Sequence, residues 1–357
     1  MVRFRLRNPP DMHSCARPPV MVSQRGQHLA VDIHAHLNVA ASEERLRVDF
    51  PDLPRGLPFS CAASDAVNAK MFQEIGGKLN GVSERLVDMD RLGVDVQALS
   101  PNPGQYYYFT PPELGRELAQ ITNEGIAGAV GQAPKRLVGI GTVPLQNTEM
   151  AITEMRRCVD ELGLRGIEIG TSVGGRELAD PALRPFFQTA DELGILLLLH
   201  PLGFTHGERL SEHYLNNLIG NPLESTIALS HLIFGGVLDE LPGLKLCVVH
   251  GGGYLPSYWG RMDHAWHTRP DCREHIARAP SSYLQQVWLD TLVFDQRQLA
   301  ALVEHHGAAR LCMGSDYPFD MGEPDPVGLL SQLSPDSRAQ IMGRNAADLL
   351  GLVAVPG

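Results

Sequence analysis

No stretch of this chain is apolar for long enough to cross a membrane, which takes about 20 residues, so no membrane partner is expected. Basic residues are outnumbered, with 30 Lys+Arg against 41 Asp+Glu and a formal net charge of −11. That balance argues against a broad nucleic-acid footprint. Cysteine is sparse: the six, at positions 15, 61, 158, 247, 272 and 312, form no CxxC pair and keep no regular spacing. A disulfide framework and a cysteine zinc ribbon are thereby excluded. Cys247 and Cys312 fall inside apolar runs and read as small core residues. A reducing, cytoplasmic setting is the expectation. Neither GxGxxG nor GxxxxGK[ST] occurs, so no nucleotide-phosphate loop is expected, although Gly251-Gly252-Gly253 are consecutive. The basic start, Met1 to Arg7, leads into Pro9-Pro10 instead of an apolar segment, so no secretory leader is expected.

What the chain does have is a regular alternation of apolar runs and amphipathic segments. Residues 1–28 lack periodicity and read as a poorly ordered arm, partly an extension upstream of Met21. Residues 29–357 read as one barrel domain. Within it, 40–80 is broken by Pro51, Pro54, Gly56, Pro58 and Gly76-Gly77, and reads as a small insertion after the first strand, with a small sheet of its own. Ser83 to Leu92 is an amphipathic helix closed by Gly93. Short apolar strands begin near residues 31, 94, 137, 165, 195, 244, 287 and 310, with helical segments between them. Eight such strands, most continuously apolar, fit an α/β fold of the (β/α)8 TIM-barrel type, distorted by the insertion. An open doubly wound sheet competes. The barrel is preferred because unusual polar residues end several different strands, the place where a TIM barrel assembles its active site.

Those polar residues carry the chemistry. Strand one, Val31-Asp32-Ile33-His34-Ala35-His36, ends in two histidines that share a face by alternation. Strand five, Ile195 to Leu199, ends in His200. Strand six ends in His250 and strand eight in Asp316. Polar groups after buried apolar runs are costly unless paired or bound. Three imidazoles and a carboxylate, His34, His36, His200 and Asp316, suit one divalent metal per chain: Zn²⁺ first, with Mn²⁺ or Fe²⁺ as alternatives. His250 is then left beside an open coordination position, suited to general acid–base work. Asp32 reads as structural or as a partner behind the ligands.

These segments resemble the amidohydrolase superfamily (amidohydrolase-related family 2). The similar branch contains 2-amino-3-carboxymuconate-6-semialdehyde decarboxylase and the aromatic-acid decarboxylases such as γ-resorcylate decarboxylase. The resemblance is carried by Val31–His36, by Leu86 to Ser100, by His200-Pro201, by His250-Gly251-Gly252-Gly253 through Gly260-Arg261, and by Gly314-Ser315-Asp316-Tyr317-Pro318-Phe319. It implies a distorted (β/α)8 barrel with a catalytic divalent ion on His34, His36, His200 and Asp316, and His250 as acid–base. Strand four has no lysine at its end (Arg165 to Ile169), which disfavours the binuclear subtype. The resemblance also implies that Arg261 reaches a neighbouring subunit's site to bind a substrate carboxylate, and hence a homodimer.

One departure stands out. Where the semialdehyde decarboxylase has a second carboxylate-binding arginine, this chain has Gln73. The run Tyr106-Tyr107-Tyr108-Phe109 offers, through Tyr107, a wall for a planar substrate, and Tyr214 and His206 follow in the loop after His200. The expected activity is non-oxidative decarboxylation of a small aromatic or muconate-type carboxylic acid. His250, Asp316 and Arg261 are the expected catalytic residues, and Arg261, Gln73, Tyr107 and Tyr214 the substrate contacts. The alternative is a metal-dependent hydrolase of an amide, lactone or C–C bond with the same ligands.

Overall fold

The computed structural model describes residues 17–53 and 59–357. In chain order the elements are β1 (Val20–Gln24), β2 (Val31–Leu37), α1 (Ala40–Asp49), α2 (Ala62–Asn80), α3 (Ser83–Leu92), β3 (Val96–Pro101), α4 (Pro112–Gln132), β4 (Leu137–Gly141), α5 (Thr148–Asp160) and β5 (Gly166–Ile169). A short antiparallel hairpin, β6 (Ser172–Val173) and β7 (Arg176–Glu177), precedes α6 (Arg184–Leu193), β8 (Leu196–Leu199), α7 (Asn221–Phe234), α8 (Val237–Glu240) and β9 (Leu246–Val248). Last come α9 (Leu255–Thr268), α10 (Pro280–Leu284), β10 (Trp288–Asp290), α11 (Gln296–His306), β11 (Leu311–Cys312), α12 (Pro326–Leu329), α13 (Pro335–Ala339), α14 (Asn345–Leu350) and β12 (Leu352–Pro356).

Eight strands form one parallel sheet in the order β11-β10-β9-β8-β5-β4-β3-β2. The two edges meet: the Ile33 N–H donates to Met313 O at 2.9 Å, Asp316 N–H to His34 O at 2.8 Å, and His36 N–H to Tyr317 O at 2.8 Å. The sheet is thus a (β/α)8 barrel, as the strand count predicts. Alternation sorts each strand. Val31, Ile33, Val96, Ala98, Val138, Ile140, Leu196, Leu198, Cys247, Val249 and Cys312 pack together in the lumen. Their neighbours Leu99, Ile167, Ile169, Leu197, Leu199, Val248 and Leu289 join the larger core between strands and helices. Each fully buried aliphatic side chain contributes about 1.5–3 kcal/mol.

Two expectations need correction. The arm placed over residues 1–28 is ordered at its end, because Val20–Gln24 pairs in parallel with Leu352–Pro356 and so closes the bottom of the barrel with backbone hydrogen bonds. The segment 40–80 carries no sheet among its described residues. It is helical, as α1 and α2, since Leu46, Asn68, Met71 and Leu79 bury one helical side each. Pro54, Gly56 and Pro58 lie outside the described residues, as does residues 1–16 of the arm.

A feature of β2 positions the site. Its register with β3 slips between Asp32 and Ala35, so that one extra residue is accommodated there. The bulge switches the parity of the strand. Ile33 points into the lumen, and His34 and His36 do so as well, while Asp32 turns outward to Gln97 on β3.

Candidate metal centre

Above the apolar lumen lies a polar layer made of the next inward residue on each strand. One ligand atom each from His34, His36, His200 and Asp316 falls within 4.8 Å of the others, and all four side chains are buried. His34 Nε2 lies 3.1 Å from His36 Nε2, and Asp316 Oδ1 lies 3.4 Å and 3.1 Å from those two atoms. The far nitrogen of every ring is held by an acceptor. His34 Nδ1 donates to Asp290 Oδ2 at 2.7 Å, His36 Nδ1 to Pro101 O at 2.9 Å, and His200 Nδ1 to Pro201 O at 2.6 Å. With the proton on Nδ1, each Nε2 lone pair turns to the centre. His200 Nε2 and Asp316 Oδ1 are buried there without a hydrogen-bond partner among the described residues. Buried orphan acceptors converging on one point are what a cation satisfies. The donor set fits a single divalent ion.

Electrostatics agree. Burial and the neighbouring His36, His34 and His250 hold the His200 pKa well below its usual value, which keeps it a neutral ligand. Burial works against ionised Asp316, but His34, His250 and His36 outweigh it and hold the carboxyl well below the usual range. Burial also opposes a charge on His34, yet Asp316, Asp290 and Glu168 overcome it and raise its pKa to about 9. A cation on the Nε2 side would take the place of that proton.

Several supporting residues escaped the sequence reading. Asp290 ends β10 and accepts from His34, from the Gly251 N–H at 2.8 Å and from the Leu292 N–H at 3.2 Å. Glu168 on β5 is fully buried, takes the Tyr106 hydroxyl at 2.8 Å and lies 3.8 Å from His36 Nδ1. Both are charged residues inside apolar strands, the same signal that singled out His200. Gly314 lets the strands approach closely, since a Cβ there would lie 3.0 Å from the Cβ atoms of His34 and Asp290.

On the outer side of β2, Asp32 accepts from Ser315 Oγ at 2.5 Å and from Gln97 Nε2 at 2.9 Å. Gln97 in turn accepts from Arg85 at 2.6 Å. Arg85, fully buried on α3, donates to the His36 carbonyl at 2.6 Å and lies over the Tyr317 ring at 4.8 Å. One polar network therefore ties the strand of the two histidines to the loop that carries Asp316.

His250 follows β9 with φ 55°, and this turn brings its ring back over the lumen after inward-facing Val249. Its Nε2 lies 3.8 Å from Asp316 Oδ2, its ring centroid 5.1 Å from that of His200, and its Nδ1 has no partner among the described residues. The glycines behind it permit the turn: at Gly253 (φ 67°) a Cβ would stand 2.3 Å from Pro222 O.

The site opens into two lobes. One, of about 90 Å³, takes in His200, Asp316, Tyr214, Phe319 and the α2 residues Asn68, Met71 and Phe72. The other, of about 480 Å³, runs from His250 and Asp316 between the start of α9 and α11. Asn217, Asn221, Asp316 and Met321 border both.

Of the predicted substrate contacts, Tyr214 lines the smaller lobe, its pKa pushed up to about 12 by burial and by Asp320 and Asp316. Tyr107 does not line either lobe. It packs with Leu46, Leu114 and Leu118 outside the barrel, its hydroxyl 3.0 Å from Ser42 Oγ. A positive φ of 55° at Tyr107 turns it away, and Tyr106 is the member of that run facing the ligand layer. Gln73 is exposed on α2, outside the lining, because Met71 and Phe72 occupy the face toward the site. His206 is exposed in its loop. Arg261 is exposed on α9, outside both lobes of its own chain.

A family model described as amidohydrolase matches residues 31–352. The 2-amino-3-carboxymuconate-6-semialdehyde decarboxylase of Dictyostelium discoideum is 36% identical over 338 residues, covering 91% of this chain and 92% of that protein. The crystal structure of 5-carboxyvanillate decarboxylase LigW from Sphingomonas paucimobilis matches with a TM-score of 0.81 at 23% identity, over 92% of this chain and 100% of the other. A dihydroxybenzoic acid decarboxylase from Polaromonas sp. JS666, solved with manganese and 2-nitroresorcinol, matches with a TM-score of 0.77 at 23% identity, over 91% and 97%.

Proposed function

The chain belongs to the amidohydrolase family, and we propose from its site that it is a metal-dependent carboxy-lyase. It removes CO₂ without an oxidant from a small aromatic or muconate-type carboxylic acid. The observation that carries this reading is the convergence of four ligand atoms within 4.8 Å, with His250 facing them across the cavity. The semialdehyde decarboxylase relative supports the reaction class.

His34, His36, His200 and Asp316 hold the ion. When bound, a divalent ion supplies concentrated positive charge that fixes a substrate oxygen and draws off negative charge as the C–C bond breaks. The rest falls to side chains. His250, whose Nδ1 meets no partner among the described residues, delivers a proton to the carbon that loses its carboxylate. The electron pair of the broken bond stays on that carbon until the proton arrives, and CO₂ leaves as a neutral molecule. Asp316, 3.8 Å away and ionised, steadies the protonated imidazole, and the ring recovers its proton from solvent. Phe319, tilted at 5.5 Å against the His36 ring, gives a planar substrate a face to lie on.

Zn²⁺ is the ion we expect, because three imidazoles and one carboxylate are a zinc-like set. The manganese in the Polaromonas decarboxylase keeps Mn²⁺ in competition. Arg261 serves the neighbouring subunit's site in a homodimer. Its exposure, its place eleven residues after His250 and its absence from its own cavity support that role. A cytoplasmic location accords with the free thiols of Cys61, Cys158, Cys247, Cys272 and Cys312.

The test is CO₂ release from a panel of hydroxybenzoates and muconate-type acids by protein loaded with Zn²⁺ or Mn²⁺. Release from at least one acid is expected. No release from any acid, or incorporation of ¹⁸O from labelled water into an amide or lactone product instead, overturns the reading. Mixing inactive Arg261→Ala with inactive His250→Ala under subunit exchange should restore partial activity. No recovery removes Arg261 from the neighbour's site.

A further inference from the structure

The wall of the smaller lobe opposite the metal ligands identifies the kind of acid that fits, if acid decarboxylation is taken as the premise. Asn68, Met71 and Phe72 are spaced i, i+3 and i+4 on α2 and so share one helical face. That face lines the lobe with His200 and Asp316. Met71 is fixed by burial and by the Asp320 N–H, which points at its sulfur from 3.5 Å. Phe72 meets Phe319 edge-on, with centroids 6.2 Å apart, and Phe319 leads on to His36. An aromatic wall therefore runs from α2 to the ligand cluster.

Asn68 stands in this apolar setting at 9% exposure, and its amide makes no hydrogen bond to a described residue. A primary amide has two donors and an acceptor to satisfy. The amide borders the open lobe, so a group bound in the cavity can supply its partner. Gln73, the nearest long polar side chain on the helix, is exposed and does not reach that space. Aside from the ligands His200 and Asp316, the described residues that line this lobe are neutral. Beyond the ion itself, a second carboxylate placed here would meet no cationic side chain among this chain's described residues.

We infer that Asn68 is a specificity-determining residue that hydrogen-bonds a neutral oxygen, a hydroxyl or carbonyl, on the substrate edge facing α2. It thereby selects oxygenated aromatic mono-acids over dicarboxylates. Neutral recognition of this kind discriminates because an analogue that fills the lobe but lacks the oxygen covers the amide without pairing it.

The test reads binding, not turnover, on the full-length metal-loaded protein. Dissociation constants are measured calorimetrically for 2-hydroxybenzoate, for its four dihydroxybenzoate relatives bearing a 3-, 4-, 5- or 6-hydroxyl, and for benzene-1,3-dicarboxylate. At least one dihydroxybenzoate should bind about ten-fold more tightly than 2-hydroxybenzoate, matching one buried hydrogen bond. Asn68→Leu, of nearly equal volume, should bring that ratio to within about two-fold. Asn68→Ala is the second variant should the larger one fail to fold, and metal content and circular dichroism report on both. An unchanged ratio in the variants, or a dicarboxylate bound as tightly as the best dihydroxybenzoate, overturns the inference while leaving the decarboxylase reading intact. Failure of every acid to bind loaded protein sinks that reading and the inference with it.

Discussion

The two ends of the barrel lumen obey opposite rules. In the lower part, Val31, Val96, Ala98, Leu196, Leu198 and Cys247 fill the space with side chains that carry no charge, and β1 with β12 seals the floor. In the upper layer, the next inward positions hold His34, Ser100, Glu168, His200, Asp290 and Asp316. Here buried atoms such as His200 Nε2, Asp316 Oδ1, His250 Nδ1 and Glu168 Oε2 lack partners among the described residues, and His250 and Asp316 adopt positive φ. The same strands supply both ends, so the contrast lies in residue choice and not in architecture. The floor is arranged for stability. The top forgoes part of that stability to hold groups that bind and react.

If this division is real, changes at the two ends should fail in different ways. The largest effect belongs to the ligands. His34→Ala or Asp316→Ala should drop metal content from about one ion per chain toward none and abolish CO₂ release, with the fold retained. Elemental analysis beside circular dichroism reads this, and an undiminished ion in both variants would break the ligand assignment. Next comes His250→Ala, which should keep the ion and lose about 10²–10⁴-fold in kcat, the scale of general acid–base catalysis. Unchanged turnover would remove His250 from the chemistry.

At the floor the signature is reversed. Leu198→Ala should cost about 2–5 kcal/mol in denaturant unfolding and leave the ion-to-chain ratio of folded protein unaltered. A variant that keeps its stability but sheds metal would erase the distinction between the ends.

The smallest effect is a pH slope. His306 is buried below β10, where its Nε2 donates to Val287 O at 3.1 Å. Burial, against the opposing pull of that carbonyl, lowers its pKa to about 4. The folded state keeps the ring neutral while the unfolded chain protonates near its ordinary value of 6.5. Stability from this group is therefore complete above pH 6.5 and falls away as pH drops toward 4. The loss amounts to at most about 3 kcal/mol. His306→Gln should flatten the slope of unfolding free energy in that window, and an unaltered slope would show that the ring is already charged or exposed.

Much of the site was legible because polar residues after apolar strands are rare. Each of His34, His36, His200, His250 and Asp316 ends such a run, and the structure brings all five to one mouth. Glu168 and Asp290 carried the same signal and were passed over, one within strand four and one at the end of strand seven. Tyr107 misled because three adjacent tyrosines look alike in sequence. Only a local φ of 55° separates Tyr107, which packs outside the barrel, from Tyr106, which faces the ligands. Gln73 was placed by resemblance alone, at the position of a carboxylate-binding arginine, and resemblance does not say which face of a helix a residue occupies. On α2 the inward face passes through Asn68, Met71 and Phe72 instead.

The amino-acid order by itself determined the alternation of strands and helices, the eight-strand barrel and the four candidate ligands. Those properties follow from local periodicity and from the cost of burying polar groups, both of which are written along the chain. Only the tertiary structure decided that a bulge between Asp32 and Ala35 turns both histidines inward, that Arg85 fastens their strand to the loop of Asp316, and that Asn68 is the amide left facing the cavity. These depend on distances between segments far apart in sequence, where a slip of one residue changes which side chain meets which.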